Sequence, residues 1–544
     1  MAVTGRLANV KTRRETGLDY VVAALEVLTP FGKSLIREQK PYFPGQEEEL
    51  REELTRIETL VKLAGERVKD IGMLQECFMM IKDNSLTIER SEKSTLTTVE
   101  IFELKSLLLL MGKIRKLTLE GGFPKEFVPE DTEELLDILD PGGERLNTFY
   151  IYDSFSERLA LLRKEKKELE TAVRREQKLR KKEIKENFGI VLTPKFDITV
   201  SKSDDRRIKM IEEISDLRRS DEDYMSVTYV LAPTEEVNAL IKKKDIILAE
   251  IEDEEYKVRE ILSKEIAARG RLLLENCETI GRLDVSLAKA VFARTRRCVK
   301  PEIVQEHIVE FENGRHLQVE QIVERKGGAY CPVSISLRDG VTCITGANMG
   351  GKTVSLKLVG MVAVLAQYGY FVPCDSARVG LSSFMQILIG DSQSIERGLS
   401  SFGSEMEELK EIMDNARDRS LILVDEIASG TNPVEGLALT RSIVDYLKTR
   451  EYISLITTHF EQVTEDEDVV NMQVRGLAEV DFDMLNREIR YAGRKERIGI
   501  IQSHMDYRLV RVGSGGEIPK DALNIAKMLG IDREIIENAK KYIN

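Results

Sequence analysis

The first 147 residues carry apolar positions at the three- and four-residue spacing of helix faces. One series comprises Leu54, Ile57, Val61, Ala64 and Val68, and a second comprises Leu104, Leu107, Leu108 and Met111. This spacing places the apolar side chains on one side of a helix, where they can be buried together. Prolines and one Pro-Gly-Gly turn interrupt the pattern. The sequence therefore predicts a helical core of several elements over residues 1–148.

Two longer patterns follow, each with an apolar stripe among dense charge. They predict long helices over about 155–185 and about 233–268. A helix of ~30 residues is about 45 Å long, which is more than a compact core requires. We therefore expect the two helices to form a long antiparallel coiled-coil arm within a second domain, 149–282.

A small insertion is predicted between these two helices, at about 189–231. β-branched runs at 198–200 and 227–231 predict short strands. One more helix is predicted between these strands, over 205–219.

Basic residues crowd the first long helix, but glutamates alternate with them. The basic residues are Arg163, Lys164, Lys166, Lys167, Arg174, Arg175, Lys178, Arg180, Lys181, Lys182 and Lys185. Lysine and arginine at such density can follow a phosphate backbone. The same mixture of charges is typical of a solvated coiled-coil face, so both interpretations stay open.

From residue 283 onward the pattern changes to strands that alternate with helices, which predicts an α/β domain over 283–544. Within it, a short β-branched run leads into a glycine-rich loop and a strongly apolar helix. The loop has the pattern G-x-x-x-x-G-K-[ST] and comprises Gly346, Ala347, Asn348, Met349, Gly350, Gly351, Lys352 and Thr353. Its backbone N–H groups and the lysine can surround phosphate oxygens, and the threonine hydroxyl can bind Mg²⁺. These eight residues are the predicted ATP-binding loop.

Two further strands end in residues that suit phosphoryl chemistry. The apolar run 421–424 predicts a buried parallel strand that delivers Asp425 and Glu426 to the edge where α/β sheets bind ligands. We expect Asp425 to hold Mg²⁺ and Glu426 to orient or deprotonate the attacking water. The strand 453–456 leads to His459, whose imidazole is predicted to hold Glu426 and to sense the γ-phosphate.

The composition of the chain limits which functions and which cellular location we expect. The chain has 544 residues and a formal net charge of −13, which argues against coating nucleic acid through bulk charge. Its six cysteines form no C-x-x-C pair, and its apolar runs are too short to span a membrane. These features predict reduced thiols, a cytoplasmic location and no membrane partner.

Several motifs together resemble the ATPase domain of the MutS family, a branch of the ABC-type ATPases. They are the loop T-G-A-N-M-G-G-K-T, Ser400-Ser401-Phe402 before Glu405-Met406, the Asp425-Glu426 strand followed by S-G-T-N-P-V-E-G, and T-T-H-F around His459. Residues 393–395 and 430–433 are more similar to the type-two MutS branch than to mismatch-repair MutS. About 518–544 looks like the family's closing helical dimerisation segment.

The resemblance implies a composite site shared by two subunits. Two ATPase domains would meet head to tail, so that Ser400 would act in trans on ATP held by the partner, with Mg²⁺ as cofactor. The partner would be a second copy or another MutS-like subunit. The long helices would be lever arms, and the insertion would stand where the family has its clamp. We expect no mismatch-reading domain before the helical core and no nuclease tail after Asn544.

Two functions remain open on this basis. One is a nucleotide-gated dimeric clamp on double-stranded or branched DNA, without mismatch proofreading, which the lever-and-clamp plan favours. The other is an ATPase that reactivates a cobalamin-dependent amino-acid mutase such as lysine 5,6-aminomutase, which the acidic charge and the two expected absences favour. A coiled-coil scaffold with an inactive nucleotide site is disfavoured, because all the residues of that site are present.

Overall fold

The computed structural model describes residues 7–346, 351–390, 401–477, 484–485, 500, 504–513 and 521–542. The chain forms two compact units. The first contains Met1–Met80, Leu117–Val128 and Glu278–Asn544, and the second contains Ile81–Lys116 and Pro129–Cys277. Among the described residues, no helix combines the length and the apolar character needed to cross a bilayer.

The first unit begins with five helices: α1 (Val10–Glu15), α2 (Leu18–Ala24), α3 (Pro30–Arg37), α4 (Glu47–Glu66) and α5 (Val68–Met80). Side chains cap two of them, since Asn9 accepts a hydrogen bond from Thr12 N and Thr29 accepts one from Gly32 N. The predicted apolar series is buried at Leu54, Ile57 and Ala64. It ends earlier than expected, because α4 stops at Glu66 and Val68 is 65% exposed at the start of α5.

The second unit is built mainly on helices α6 (Ser85–Ser91), α7 (Thr98–Glu120), α8 (Glu133–Leu139), α9 (Glu157–Phe188), α10 (Asp205–Glu212) and α11 (Glu235–Ala268). Helix α12 (Gly270–Thr295) begins in this unit, but its residues from Glu278 onward belong to the first unit. The predicted series on α7 is fully buried. Helices α9 and α11 contain 32 and 34 residues. They lie side by side and antiparallel, as ion pairs between Arg158 and Glu250 (3.3 Å) and between Glu165 and Lys243 (3.0 Å) demonstrate.

Between α9 and α11 in the sequence, the chain forms a small sheet of order β1-β3-β2. Its strands are β1 (Asp197–Ser201), β2 (Leu217–Glu222) and β3 (Ser226–Leu231). The predicted helix over 205–219 was wrong in its second half, because α10 ends at Glu212 and β2 follows. Leu217 is buried with Ile211 and Tyr229, while the rest of β2 is exposed and polar. Pairing with β3 outweighs the local helix preference, which sequence patterns cannot reveal.

The α/β part of the first unit contains two sheets. Its elements are β4 (Glu302–Val304), β5 (Ile308–Gly314), α13 (Leu317–Arg325), β6 (Val333–Arg338), β7 (Gly340–Thr345), α14 (Lys352–Gln367), β8 (Ser376–Gly380), β9 (Phe384–Ile389), α15 (Ser401–Asn415), β10 (Ser420–Asp425), α16 (Pro433–Lys448), β11 (Tyr452–Thr457), β12 (Val469–Gly476) and β13 (Asp506–Val512). Two short helices, Asp521–Met528 and Arg533–Lys541, follow.

The larger sheet has the order β13-β12-β7-β11-β10-β9, and the smaller one has the order β4-β8-β5-β6. In the larger sheet β12, β7, β11, β10 and β9 are parallel, and β13 is antiparallel to β12. Apolar residues of β10 and β11 are almost completely buried, and α14 is buried along most of its length. This arrangement brings the carboxyl ends of β7, β10 and β11 to one edge of the sheet.

Candidate functional site

The loop after β7 leads directly into α14, and a glycine with a positive φ angle stands at each of its described ends. Gly346 and Gly351 have φ angles of +127° and +82°. A Cβ atom on Gly351 would lie 3.0 Å from Cδ1 of Tyr507, and one on Gly346 would lie 3.3 Å from Cβ of Val474. Both positions therefore require glycine. Four predicted ATP-binding residues, Ala347, Asn348, Met349 and Gly350, lie outside the described residues.

Lys352 is the first residue of α14, and its side chain points back toward Gly346. Only 4% of this residue is exposed, and its Nζ donates a hydrogen bond to the carbonyl oxygen of Gly346 at 2.9 Å. Nζ also lies 3.3 Å from Oε1 of Glu426 and 3.3 Å from Nδ1 of His459. The lysine therefore joins the ends of three parallel strands, β7, β10 and β11.

Glu426 and His459 form the closest contact in this group. Nε2 of His459 lies 2.7 Å from Oε1 of Glu426, while Nδ1 faces the ammonium group of Lys352. An ammonium group can only donate, so Nδ1 must accept and Nε2 must carry the proton that is donated to Glu426. These contacts fix the tautomer and the orientation of the imidazole.

Thr353 and Asp425 form a neighbouring group. The hydroxyl of Thr353 donates to Oδ2 of Asp425 at 2.8 Å, and the hydroxyl of Thr457 donates to Oδ1 at 2.6 Å. Asp425 and Thr457 are paired in register on the adjacent strands β10 and β11. The hydroxyl and the carboxylate provide oxygen ligands of the kind that Mg²⁺ prefers.

The backbone of Glu426 is in a strained conformation, with a φ angle of +51°. Its N–H is fixed by the carbonyl and hydroxyl oxygens of Thr457, both at 3.0 Å. Ala428 also has a positive φ angle, +59°, and its N–H donates to Oε1 of Glu405 on α15 at 3.0 Å. These hydrogen bonds hold the turn after β10 in the conformation that directs the Glu426 carboxylate toward Lys352 and His459.

The charges in the site influence one another. The hydrogen bond from His459 and the charge of Lys352 lower the pKa of Glu426, even though burial opposes this change. Burial lowers the pKa of Lys352 despite the nearby carboxylate of Glu426. With its pKa lowered, Glu426 is ionised at neutral pH and available to accept a proton.

The structure brings together five of the residues that the sequence singled out: Lys352, Thr353, Asp425, Glu426 and His459. Ser400, predicted to act in trans, lies outside the described residues. Next to Glu426 and His459 is an open cavity that is also lined by Thr431, Thr458 and Phe460.

Three neighbouring residues were not assigned roles from the sequence, namely Thr457, Glu405 and Tyr507. Thr457 could have been found by aligning the ends of the two parallel strands, since it stands directly opposite Asp425. Glu405 belongs to the motif before α15, but no role in the site was assigned to it from the sequence. Tyr507 reaches the site from a distant part of the chain, and no local pattern marks it.

The donor set fits a magnesium nucleoside triphosphate. The positive end of α14, the Lys352 ammonium and the glycine turns suit phosphate oxygens. Thr353 and Asp425 would hold the metal ion, which when bound would neutralise phosphate charge. The fold and the site thus define a class of protein. Its α/β domain holds a lysine, two carboxylates and a histidine at the carboxyl edge of a parallel sheet.

Comparison with known proteins agrees with this class. Residues 342–544 match the family model described as MutS domain V. The chain is 33% identical over 332 residues to Endonuclease MutS2 of Clostridium botulinum (strain Okra / Type B1), which covers 60% of this chain and 38% of that protein. It is 31% identical over 303 residues to Endonuclease MutS2 of Fusobacterium nucleatum, covering 53% of this chain and 36% of that protein.

Residues 342–544 are therefore similar to MutS domain V, and the resemblance to the MutS family noted in the motifs is confirmed. Domain V is the family's ATPase domain, which agrees with the donor set of the site. The chain spans less than two fifths of the length of these relatives.

Proposed function

We propose that this protein is a Mg²⁺-dependent ATPase with a phosphate-binding loop formed by residues 346–353. The observation that carries the proposal is the contact of Lys352 with both Glu426 and His459, beside the Thr353–Asp425 pair. Lysine, hydroxyl and carboxylate groups in this arrangement suit phosphate binding, metal binding and water activation in adjacent positions.

Each residue has a separate part in this proposal. Lys352 binds phosphate oxygens, which requires its ammonium to exchange the Glu426 carboxylate for the nucleotide. Released from that ion pair, Glu426 orients a water molecule and accepts its proton. His459 keeps Glu426 in place through the Nε2–H hydrogen bond. Thr457 holds both Asp425 and the backbone of Glu426, so it aligns the metal-binding and water-activating groups.

Phosphate release from ATP by the purified chain, measured with and without Mg²⁺, tests the proposal. We expect Mg²⁺-dependent hydrolysis that Lys352→Ala abolishes together with nucleotide binding. Glu451→Gln is a suitable control, because Glu451 is an exposed residue at the amino end of β11, the opposite edge of the same sheet. Hydrolysis that survives in Lys352→Ala would contradict the assignment.

We further propose that the working unit is a pair of subunits. Ser400 would complete the site of the partner, and 518–544 would contribute to dimerisation. In support, MutS-like motifs precede α15, and α15 is tied to the Glu426 turn through Glu405. Light scattering with and without ATP measures the number of subunits in the particle. A protein that stays monomeric at saturating ATP would contradict the proposed pair.

We propose double-stranded or branched DNA as the substrate of the long helix pair α9 and α11, which would form a coiled-coil lever arm within 149–282. The relatives are named endonucleases. Several basic residues of α9 are exposed, among them Lys167, Arg174, Arg175 and Lys178. Others have structural contacts, since Arg163 pairs with Glu255 and Arg180 pairs with Asp216. No feature of the described residues favours a mutase as the partner.

A further inference from the structure

The N-terminal segment, defined here as residues 7–18, lies along β9, the edge strand of the larger sheet. Met385 N donates to the carbonyl oxygen of Leu7 at 2.7 Å, and Ile387 N donates to the hydroxyl of Thr12 at 3.2 Å. These two N–H groups face away from β10 and would otherwise lack a partner in the sheet. Leu7 and Thr12 are themselves buried. The segment is therefore an integral part of the ATPase domain, although most of that domain lies more than 270 residues later in the chain.

The same segment packs against α14, the helix that begins with Lys352. Glu15 forms an ion pair with Lys357 at 2.7 Å. A Cβ atom on Gly360 would lie 2.5 Å from Cγ2 of Thr16, so this glycine permits the close approach. The N-terminal segment thus contacts both the edge strand β9 and the helix α14.

Lys11 connects this segment to both β9 and α15. Its Nζ donates to the carbonyl oxygen of Ile389, the last residue of β9, at 3.2 Å and to Oε2 of Glu408 at 2.7 Å. The side chains of Lys11 and Glu408 are only 25% and 21% exposed. Hydrogen bonds between charged groups that are partly shielded from water are stronger than neutral ones. Lys11 therefore ties the middle of α15 to the end of β9.

Helix α15 has a second attachment on the same side. Glu405 precedes Glu408 by one helical turn, and it accepts the hydrogen bond from Ala428 N in the turn that contains Glu426. The two glutamates are close enough to repel each other, and burial together with Glu408 raises the pKa of Glu405. Lys11 pairs with Glu408, the other member of this glutamate pair, at 2.7 Å. One lysine thus stabilises the helix that joins the Glu426 turn to the residue following Ser400.

We propose that Lys11 is a positioning residue for ATP hydrolysis: it holds α15 so that the start of this helix is presented to the second subunit. The inference rests on the proposed function of the ATPase pair. It predicts that Lys11 affects turnover and not the binding of ATP to its own subunit, because the described contacts of Lys11 are with Ile389 and Glu408 and not with Lys352 or Thr353.

The test compares Lys11→Met with Lys11→Arg and with Arg13→Met in the full chain. Arg13 is two residues away and pairs with Asp19, not with α15. Amide hydrogen exchange is followed in 401–415 and 352–367, and ATP turnover and ATP affinity are measured in parallel. The exchange measurement needs no nucleotide, so it also decides the positional part of the proposal if the wild type fails to hydrolyse ATP, an outcome that would overturn the proposed function.

In Lys11→Met we expect exchange in 401–415 to be roughly tenfold faster and exchange in 352–367 to change less than about twofold, the signature of local opening. We expect kcat to fall about tenfold with ATP affinity within about threefold, as befits an interaction that matters only in turnover. Lys11→Arg should keep wild-type exchange in 401–415 and wild-type kcat, and Arg13→Met should change neither quantity. Unchanged exchange in 401–415, equal acceleration in both regions, or unchanged kcat in an active protein would each overturn the proposal.

Discussion

Glu426 accepts a 2.7 Å hydrogen bond from His459, whose other ring nitrogen faces Lys352 at 3.3 Å. One imidazole thus connects the proposed base to the proposed phosphate-binding lysine. Because the tautomer is set by Lys352, any group that draws this lysine away also changes the constraint on the histidine. His459 is therefore placed to report phosphate binding to Glu426.

We expect His459→Ala to lower kcat by roughly 10- to 100-fold, the usual effect of removing a group that orients a functional side chain. ATP affinity should change little, since Lys352 keeps its hydrogen bond to Gly346. His459→Asn should retain more activity, because its amide can still donate to Glu426. Steady-state phosphate release distinguishes these variants, and equal rates in His459→Ala and the wild type would contradict the role of the imidazole.

Thr457→Val tests the alignment of the metal site. Valine keeps the shape of threonine but removes the hydroxyl that donates to Asp425 and accepts from Glu426 N. We expect the Mg²⁺ concentration for half-maximal hydrolysis to rise by about tenfold, as for other residues that support a metal ligand. Thr449→Val is the control, because Thr449 is exposed at the end of α16. An unchanged Mg²⁺ requirement would exclude this role.

The stability of the folded protein should depend on pH through the ionisation of Glu426. Its folded-state pKa is lowered, so the ionised carboxylate stabilises the folded protein above its unfolded pKa of about 4.3. This contribution is lost as the pH falls through the lower folded-state value. Wild type should therefore melt at a higher temperature than Glu426→Gln near pH 7, and the difference should shrink below about pH 4. A difference that grows on acidification would reverse the predicted sign.

DNA binding by the long helix pair should depend on salt. We expect Arg174→Ala/Arg175→Ala to weaken duplex binding and to reduce the slope of log K against log salt by about one for each phosphate that is no longer neutralised. Lys93→Ala/Lys113→Ala removes the same charge from exposed positions away from α9. Fluorescence anisotropy over a range of salt concentrations measures both. Equal slopes in the two double variants would show that α9 does not bind the duplex.

The sequence predicted the parts of the fold that have strong local patterns. Buried strands β10 and β11 were recognisable because their side chains are apolar on both faces, and α9 and α11 because their stripes are long. Strand β2 was missed because only Leu217 is buried and its other residues are exposed and polar. The site residues at strand ends were recognisable from the sequence. The role of Thr457 depends on the register between two strands, and the role of Lys11 depends on a partner nearly 400 residues away, so neither shows in a local pattern.

The most direct test of the account is phosphate release by Glu426→Gln, measured together with ATP binding and subunit association. Glutamine keeps the size of the side chain but cannot accept a proton, so we expect hydrolysis to fall by at least ~100-fold. ATP binding should persist, and the variant should accumulate as an ATP-bound pair. Hydrolysis at the unmodified rate would show that Glu426 is not the base and that the proposed mechanism is wrong.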